Sequence, residues 1–588
     1  MRFCKKLATG LLPAFFCLLG MLLVACGGGT VPGSTSSSQA TPAPTSQQIL
    51  RFYGFDAPVT DIATFDPGQA TDAPSINAIQ MVFTGLVQLD DNLKVQPQLA
   101  SSFDKSADGL TYTFHLKPNL QFSDGTSLTS KDVAYSIDRA LSPEISNLSG
   151  VSLTYLGLIK DAPARTTGKV KSLINDSILT PDDNTVVLKL SKNTAYFLQA
   201  LSYPTSFVVE KSVIDKWGLK WTDHLSDNGG QGGDGPFMVK SYDHTTGIKF
   251  VPNPHYYGAK PKLQEVDYDF YKTAETNYNA YQAGQIDLTV IPPAKRAHAK
   301  TSKEYSQNPQ LTIDYLAMNY LAKPFDNVHI RQAFELAINK DALLQAVYKG
   351  TRTPTCHIVP SGMYGYNPNL TCPANAPTAG DAAKARQLLQ QGMQEEGWTS
   401  VSQIPPIKLT YQSNASALAN EITTIRAMWQ RVLGITINTQ TMDFTSLLTA
   451  ESATTGKSPA QGGLQMWTAA WGADYPDPQD WTTLQFGDGQ PYNEFNYGNN
   501  NGPTAAAQRT VQQQLDAADV MADPTARAQS YNKQEQQLVN DVAWLPLDQR
   551  LGTRLTKSYV IGIVNNAISQ VPPDDWARIY IAAHQTSS

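Results

Sequence analysis

Residues able to do chemistry are plentiful in this chain, but their spacing matches no catalytic motif. Eight histidines are scattered along it. None lies in a His-Glu-x-x-His run or pairs with another four residues away, the spacing that sets two imidazoles on one helix face for zinc. No Gly-x-Ser-x-Gly elbow exposes a serine nucleophile. The glycine-rich stretch 228–235 lacks both phosphate-cradling patterns and is expected to be a loop. A surface hydrolase would need a nucleophile–base pair or a metal set that the sequence does not offer. No catalytic residue, metal or cofactor is therefore expected.

The five cysteines say more. Cys4 and Cys17 lie within the first 25 residues, Cys26 follows them, and Cys356 and Cys372 stand 16 residues apart in a stretch rich in Pro, Gly and Asn. In an oxidising compartment that last pair is expected to form one disulfide, with two free thiols as the alternative. His357 adjoins Cys356, but no second ligand pair sits at zinc spacing.

The N-terminus supplies the compartment. Arg2, Lys5 and Lys6 precede an apolar run from Leu7 to Val24 that Gly10, Pro13 and Gly20 interrupt. An uncharged Gly/Ser/Thr/Pro tract follows, where a membrane-spanning helix would have a charged stop. Leu23-Val24-Ala25-Cys26-Gly27 resembles a bacterial lipobox, in which the cysteine thiolate takes a diacylglycerol and becomes the new N-terminus. Residues 1–25 are thus expected to be a lipoprotein signal peptide and 26–48 a lipidated flexible linker, too polar and simple to bury a core. The acyl chains on Cys26 would hold the protein outside the cytoplasm, anchored to the cell membrane or its periplasmic face.

The remaining chain is long enough for several domains. The 588 residues are 41% hydrophobic and carry 45 basic against 51 acidic side chains, a net −6 that becomes −9 once Arg2, Lys5 and Lys6 leave. That balance provides no basic footprint for a phosphate backbone, so nucleic acid is not an expected partner. Strands and helices alternate, as in an α/β protein. Leu110, Tyr112, Phe114 and Leu116 alternate with polar residues and predict a half-buried strand that leaves His115 on the wet face. Thr129-Ser130-Lys131-Asp132 predicts a capping box opening a helix. Ile330, Phe334 and Ile338 form the apolar stripe of another helix, with Arg331, Glu335 and Lys340 outside it.

Four groups of motifs, spread in order along the body, resemble one family. The first includes Phe65-Asp66-Pro67, Phe122-Ser123-Asp124-Gly125 and Asp132-Val133-Ala134-Tyr135-Ser136. The second includes Asn253-Pro254-His255-Tyr256-Tyr257-Gly258 and Ala283-Gly284-Gln285-Ile286-Asp287. The third is Asn319 followed by Pro324-Phe325-Asp326-Asn327-Val328-His329-Ile330-Arg331-Gln332-Ala333, and the fourth is Trp471-Gly472-Ala473-Asp474-Tyr475-Pro476-Asp477-Pro478. In this order, from about residue 50 to 560, they resemble the extracellular solute-binding proteins of family 5, the dipeptide and oligopeptide receptors of bacterial ABC importers.

The resemblance implies an α/β, two-lobed periplasmic-binding-protein-like fold (type II, cluster C) with an extra domain. Residues 49–80, 205–318 and 541–588 would form lobe I, 81–204 the extra domain and 319–540 lobe II. It implies a monomer that captures a small peptide outside the cell. The peptide would pass to permease subunits driven by a separate ATPase, with a nickel chelate or an oligosaccharide as the alternative ligand. An extended peptide would pair through its backbone with strands at Thr71-Asp72-Ala73 and Ala470-Trp471-Gly472. Asp474 matches the family aspartate that meets the peptide's α-ammonium group, while Asp477, Asp66, Asp132, Asp287 and Arg331 would serve the framework. Trp471 would wall a side-chain pocket, and Phe444 falls where some relatives carry a cleft tryptophan. Thr468 stands where some oligopeptide receptors have an arginine for the ligand carboxylate, which leaves peptide length open.

Overall fold

A computed structural model of the chain describes residues 40–53, 59–413 and 415–584; Cys26, the signal peptide and most of the linker lie outside them. The chain divides into units Met1–Thr41 and Pro42–Ser588, and every element below belongs to the second. Three sheets of four or more strands organise it. One is four-stranded, in the order Ile49–Phe52, Glu265–Asp269, Gly247–Pro252, Phe237–Asp243. A second, antiparallel and also four-stranded, joins Ala100–Lys105, Thr111–Leu116, Thr185–Lys189 and Ile178–Asp182. The largest is seven-stranded, and it carries the long strands Tyr305–Met318 and Leu545–Thr556 at its centre.

Along Tyr305–Met318 the period-two rule sorts side chains between two cores. Leu311, Ile313, Tyr315 and Ala317 enter one core with Trp467, Phe495 and Trp544. Leu316 and Met318 enter another, with Phe334, Leu409 and Trp429. The seven-stranded sheet is therefore covered on both faces. The Ile49–Phe52 sheet has its own core, and so does the 100–189 sheet. Such mixed sheets packed with helices are the α/β architecture the sequence implies.

The local predictions are seen. Residues Thr111–Leu116 form a strand whose burial alternates, with His115 on the polar side 3.0 Å from Asp104. Thr129 caps the helix Ser130–Ala140 in a reciprocal capping box with Asp132. The stretch 228–235 is irregular, apart from a single 3-10 turn at Asp227–Gly229.

One prediction needs correction. The helix Val328–Leu336 forms and buries Arg331 and Glu335 although they sit off its apolar stripe, while Ile338 and Lys340 fall beyond its end, the buried Lys340 opening the next helix, Lys340–Tyr348. The helix has a second packed side, and its buried charges find partners inside the protein, although Arg331 Nη2 and Glu335 Oε2 have none among the described residues. Arg331 donates to the carbonyls of Asp541 (2.8 Å) and Phe325 (2.7 Å) over the Tyr320 ring, and Lys340 pairs with Glu335 at 2.5 Å. Cys356 and Cys372 are joined, with Cα atoms 5.5 Å apart. Among the described residues no helix is long and apolar enough to cross a membrane.

Candidate functional site

The strand Met466–Gly472 positions the site. One edge pairs antiparallel with Thr312–Met318 along its whole length. Its other edge pairs with the strand Ile407–Gln412 only at Met466 and Trp467. From Thr468 to Gly472 that second edge has no partner strand among the described residues, so its backbone groups are available to an extended ligand. Thr468 is buried, Ala470 and Gly472 are exposed, and Trp471 is half-buried. The Trp471 indole N–H donates to Asp480 Oδ2 at 3.3 Å, and its ring meets Tyr492 edge-on with centroids 4.8 Å apart.

Three aspartates follow within seven residues, and their surroundings separate their roles. Asp477 is buried, caps the short helix that begins at Pro478, and receives both terminal nitrogens of Arg527 at 2.6 and 2.7 Å. Asp474 is half-buried; its Oδ2 accepts from the Tyr155 hydroxyl at 2.5 Å. Asp480 is fully buried; its Oδ2 accepts from the Asp474 backbone N–H at 3.2 Å, and its Oδ1 has no partner. Among the described residues neither Asp474 nor Asp480 forms an ion pair. Burial pushes the Asp474 carboxyl up to about 7, with the Tyr155 hydrogen bond pulling the other way. Burial raises Asp480 too, and the neighbouring Asp474 charge adds to it. Two carboxylates drawn from water without a cation cost free energy that an arriving cation would recover.

Aromatic rings frame this acid pair. Tyr155 comes from the short helix Ser152–Leu156 and stacks on Tyr203 with centroids 3.6 Å apart. Tyr475 meets the Tyr155 ring edge-on and stacks on Tyr196. Sequence reasoning missed Tyr155, Tyr203, Tyr492 and Asp480. The three tyrosines sit in no motif and reach the site only through tertiary contact. Asp480 had a faint signal, as a third acid in the Asp474–Asp480 run.

The Thr71-Asp72-Ala73 strand is a correction. Asp72 is extended, but Ala73 begins the helix Ala73–Val82, with Pro74 in its first turn. Asp72 caps that helix through Oδ1, which accepts from Ser75 N–H at 3.0 Å, as an Asp placed before Ala-Pro favours. Its Oδ2 is buried without a partner. The extended backbone here runs only from Ala70 to Asp72, with the Tyr203 hydroxyl donating to the Ala70 carbonyl at 3.1 Å. Phe444 opens the helix Phe444–Ser452 and is 50% exposed. The described residues hold no group of three or more metal-ligating side chains.

A family model described as bacterial extracellular solute-binding proteins, family 5 Middle, matches residues 94–493. A dipeptide-binding protein of Lactococcus lactis is 30% identical over 501 residues, covering 81% of this chain and 83% of its own. The oligopeptide-binding protein OppA of Bacillus subtilis is 26% identical over 494 residues, covering 83% and 86%. Among solved structures, the murein tripeptide binding protein MppA of Escherichia coli superposes with a TM-score of 0.76 at 24% identity, over 92% of this chain and all of that one.

Proposed function

The chain belongs to the bacterial extracellular solute-binding proteins of family 5, and from that premise we propose that it captures di- or oligopeptides outside the cell and hands them to an ABC permease. It is a solute-binding protein and not an enzyme, as its relatives are. The observation that carries the peptide reading is the unpaired acid pair Asp474 and Asp480 beside the open edge of Thr468–Gly472. A peptide's α-ammonium supplies the missing cation, and its backbone supplies the missing strand. Ala470, Trp471 and Gly472 form one side of this slot, and Thr71 and Asp72 the other, with Ala73 contributing only as the first helical residue. Tyr155 holds the Asp474 carboxylate in place.

The same reading assigns residues 49–80, 205–318 and 541–588 to lobe I, 81–204 to the extra domain and 319–540 to lobe II. By these boundaries the strands Tyr305–Met318 and Leu545–Thr556 belong to lobe I, and Tyr305–Met318 pairs with the lobe II strand Met466–Gly472, so the seven-stranded sheet is shared by both lobes and would bend as the cleft closes on its ligand. Cys26 carries the lipid that keeps the receptor near its permease. The Cys26→Ser variant is expected to leave the detergent phase in a partitioning assay, and retention equal to wild type contradicts the anchor.

Thermal unfolding against dipeptides, longer peptides, nickel chelates and oligosaccharides tests the ligand class. A ligand confined to the folded state raises stability by about 2.7 kcal/mol at a hundredfold excess over Kd. The expected result is a shift with peptides alone. A shift with chelates or sugars and none with peptides overturns the peptide assignment.

A further inference from the structure

A second acid pair lies close to the first. Glu451 is on the last turn of the helix Phe444–Ser452 and only 7% exposed. Among the described residues its carboxylate accepts no hydrogen bond and forms no ion pair. Glu494 accepts from the hydroxyl of Ser452, the residue next to Glu451, at 3.2 Å, and it too has no cation among the described residues. The segment that carries Glu494 is laced to the end of that helix: Asn496 accepts from the Gly456 N–H at 2.6 Å and donates to the Thr454 carbonyl at 3.3 Å. Two residues before Glu494, Tyr492 packs on Trp471 of the site strand. The acid pair is thereby tied, through one ring, to the slot described above.

The helix that bears Glu451 has a second unusual feature. Phe444 and Leu448, one turn apart, are 50% and 42% exposed, although Leu447 between them is in the core. Glu451 follows Leu448 by three residues and so lies on the adjoining face. An exposed apolar strip that ends at unneutralised carboxylates has the shape of a long cationic side chain, with an alkyl stem and a charged head. Burial, together with each carboxylate's influence on its surroundings, agrees with a missing cation. Glu451 is pushed up to about 9 by burial and by Glu494, and Glu494 to about 8 by burial. The tyrosines facing them, Tyr315 and Tyr492, are raised as well and bring no positive charge.

We propose that Glu451 and Glu494, with Phe444 and Leu448 as the lip, form a subsite for a lysine or arginine side chain of the bound peptide. It rests on the peptide reading above and adds a preference to it. A buried pair of carboxylates serves neutral ligands poorly. With both carboxyls raised above neutral pH in the empty site, an arriving guanidinium or ammonium displaces their protons to solvent, and each carboxylate then gains a charge-assisted hydrogen bond.

The test is calorimetric titration of the purified protein with alanine tripeptides carrying one Lys, Arg, Gln or Glu at each position in turn. The wild type is expected to bind Lys and Arg peptides at least tenfold more tightly than the Gln peptide at one position, and the Glu peptide most weakly there. In the Glu451→Gln/Glu494→Gln variant that preference is expected to vanish while the all-alanine peptide binds as before. These isosteric changes remove buried acids that no cation neutralises, so the unliganded variant is expected to unfold at a temperature no lower than wild type. An all-alanine peptide that binds with no basic preference, or a preference unchanged in the double variant, overturns the subsite and leaves the peptide reading standing. Failure of every peptide to bind overturns both.

Discussion

Asp474→Asn is expected to weaken binding of a free-amine peptide by roughly 30- to 1,000-fold, about 2–4 kcal/mol, while the protein stays folded. Asn can still accept from the Tyr155 hydroxyl, so the change isolates charge from shape. In the unliganded protein Asn also relieves the repulsion between Asp474 and Asp480, so the unliganded fold is expected to be no less stable. The wild type should show a matching pH signature. With the Asp474 carboxyl raised to about 7 in the free protein, a neutral Asp474 must lose its proton before it can pair with an ammonium. Affinity therefore falls by about tenfold per pH unit below that value, and it levels off above it until the peptide amine itself loses its proton near pH 8. The Asn variant should lack the acidic limb. Equal affinity of the two proteins at pH 8, or identical acidic limbs, contradicts the anchor.

Arg527→Ala is expected to have the largest effect on stability, a loss of about 3–5 kcal/mol, because it strands Asp477 as an uncompensated buried charge. Arg527 is 1% exposed and does more than neutralise: it also donates to the Tyr531 hydroxyl at 3.1 Å, which in turn donates to Asp519 at 2.5 Å. The turn that carries Asp474 and Asp480 rests on this network through Asp477, so ligand affinity should fall along with the unfolding midpoint. Replacing both partners by apolar residues of similar volume, Arg527→Met with Asp477→Leu, should recover part of the lost stability. The charge imbalance is then gone, although the Asp477 cap is lost. Denaturant unfolding of the single and double variants checks this; a single variant as stable as wild type would show that Asp477 is not held as a buried charge.

The contrast among the three aspartates explains what the sequence could reveal. Asp474, Asp477 and Asp480 look alike in the chain, and the family pattern alone distinguished the first two. Their roles depend on partners far away: Arg527 is 50 residues from Asp477, and Tyr155 is 319 from Asp474. Features set by neighbours in sequence were legible. The Thr129 capping box and the alternating strand at Thr111–Leu116 need only a few residues of context. The Thr71–Ala73 strand was misread although the local signal, Asp before Ala-Pro, favours a helix start. The burial of Arg331 and Glu335 was hidden for a different reason. A single apolar stripe says which side of a helix is certainly covered, but not whether a second element covers the other. Glu451 carried no signal in the chain, because only the packing takes it out of water.

The account depends on an ammonium group meeting Asp474 in a peptide slot. Its most direct test is calorimetric titration of the wild-type protein with one tripeptide in two forms, free and N-acetylated. Acetylation removes the positive charge and leaves the strand-forming backbone intact. The prediction is that the free peptide binds and the acetylated one binds at least about a hundredfold more weakly, a gap that closes in Asp474→Asn. Equal affinity for the two forms would contradict it.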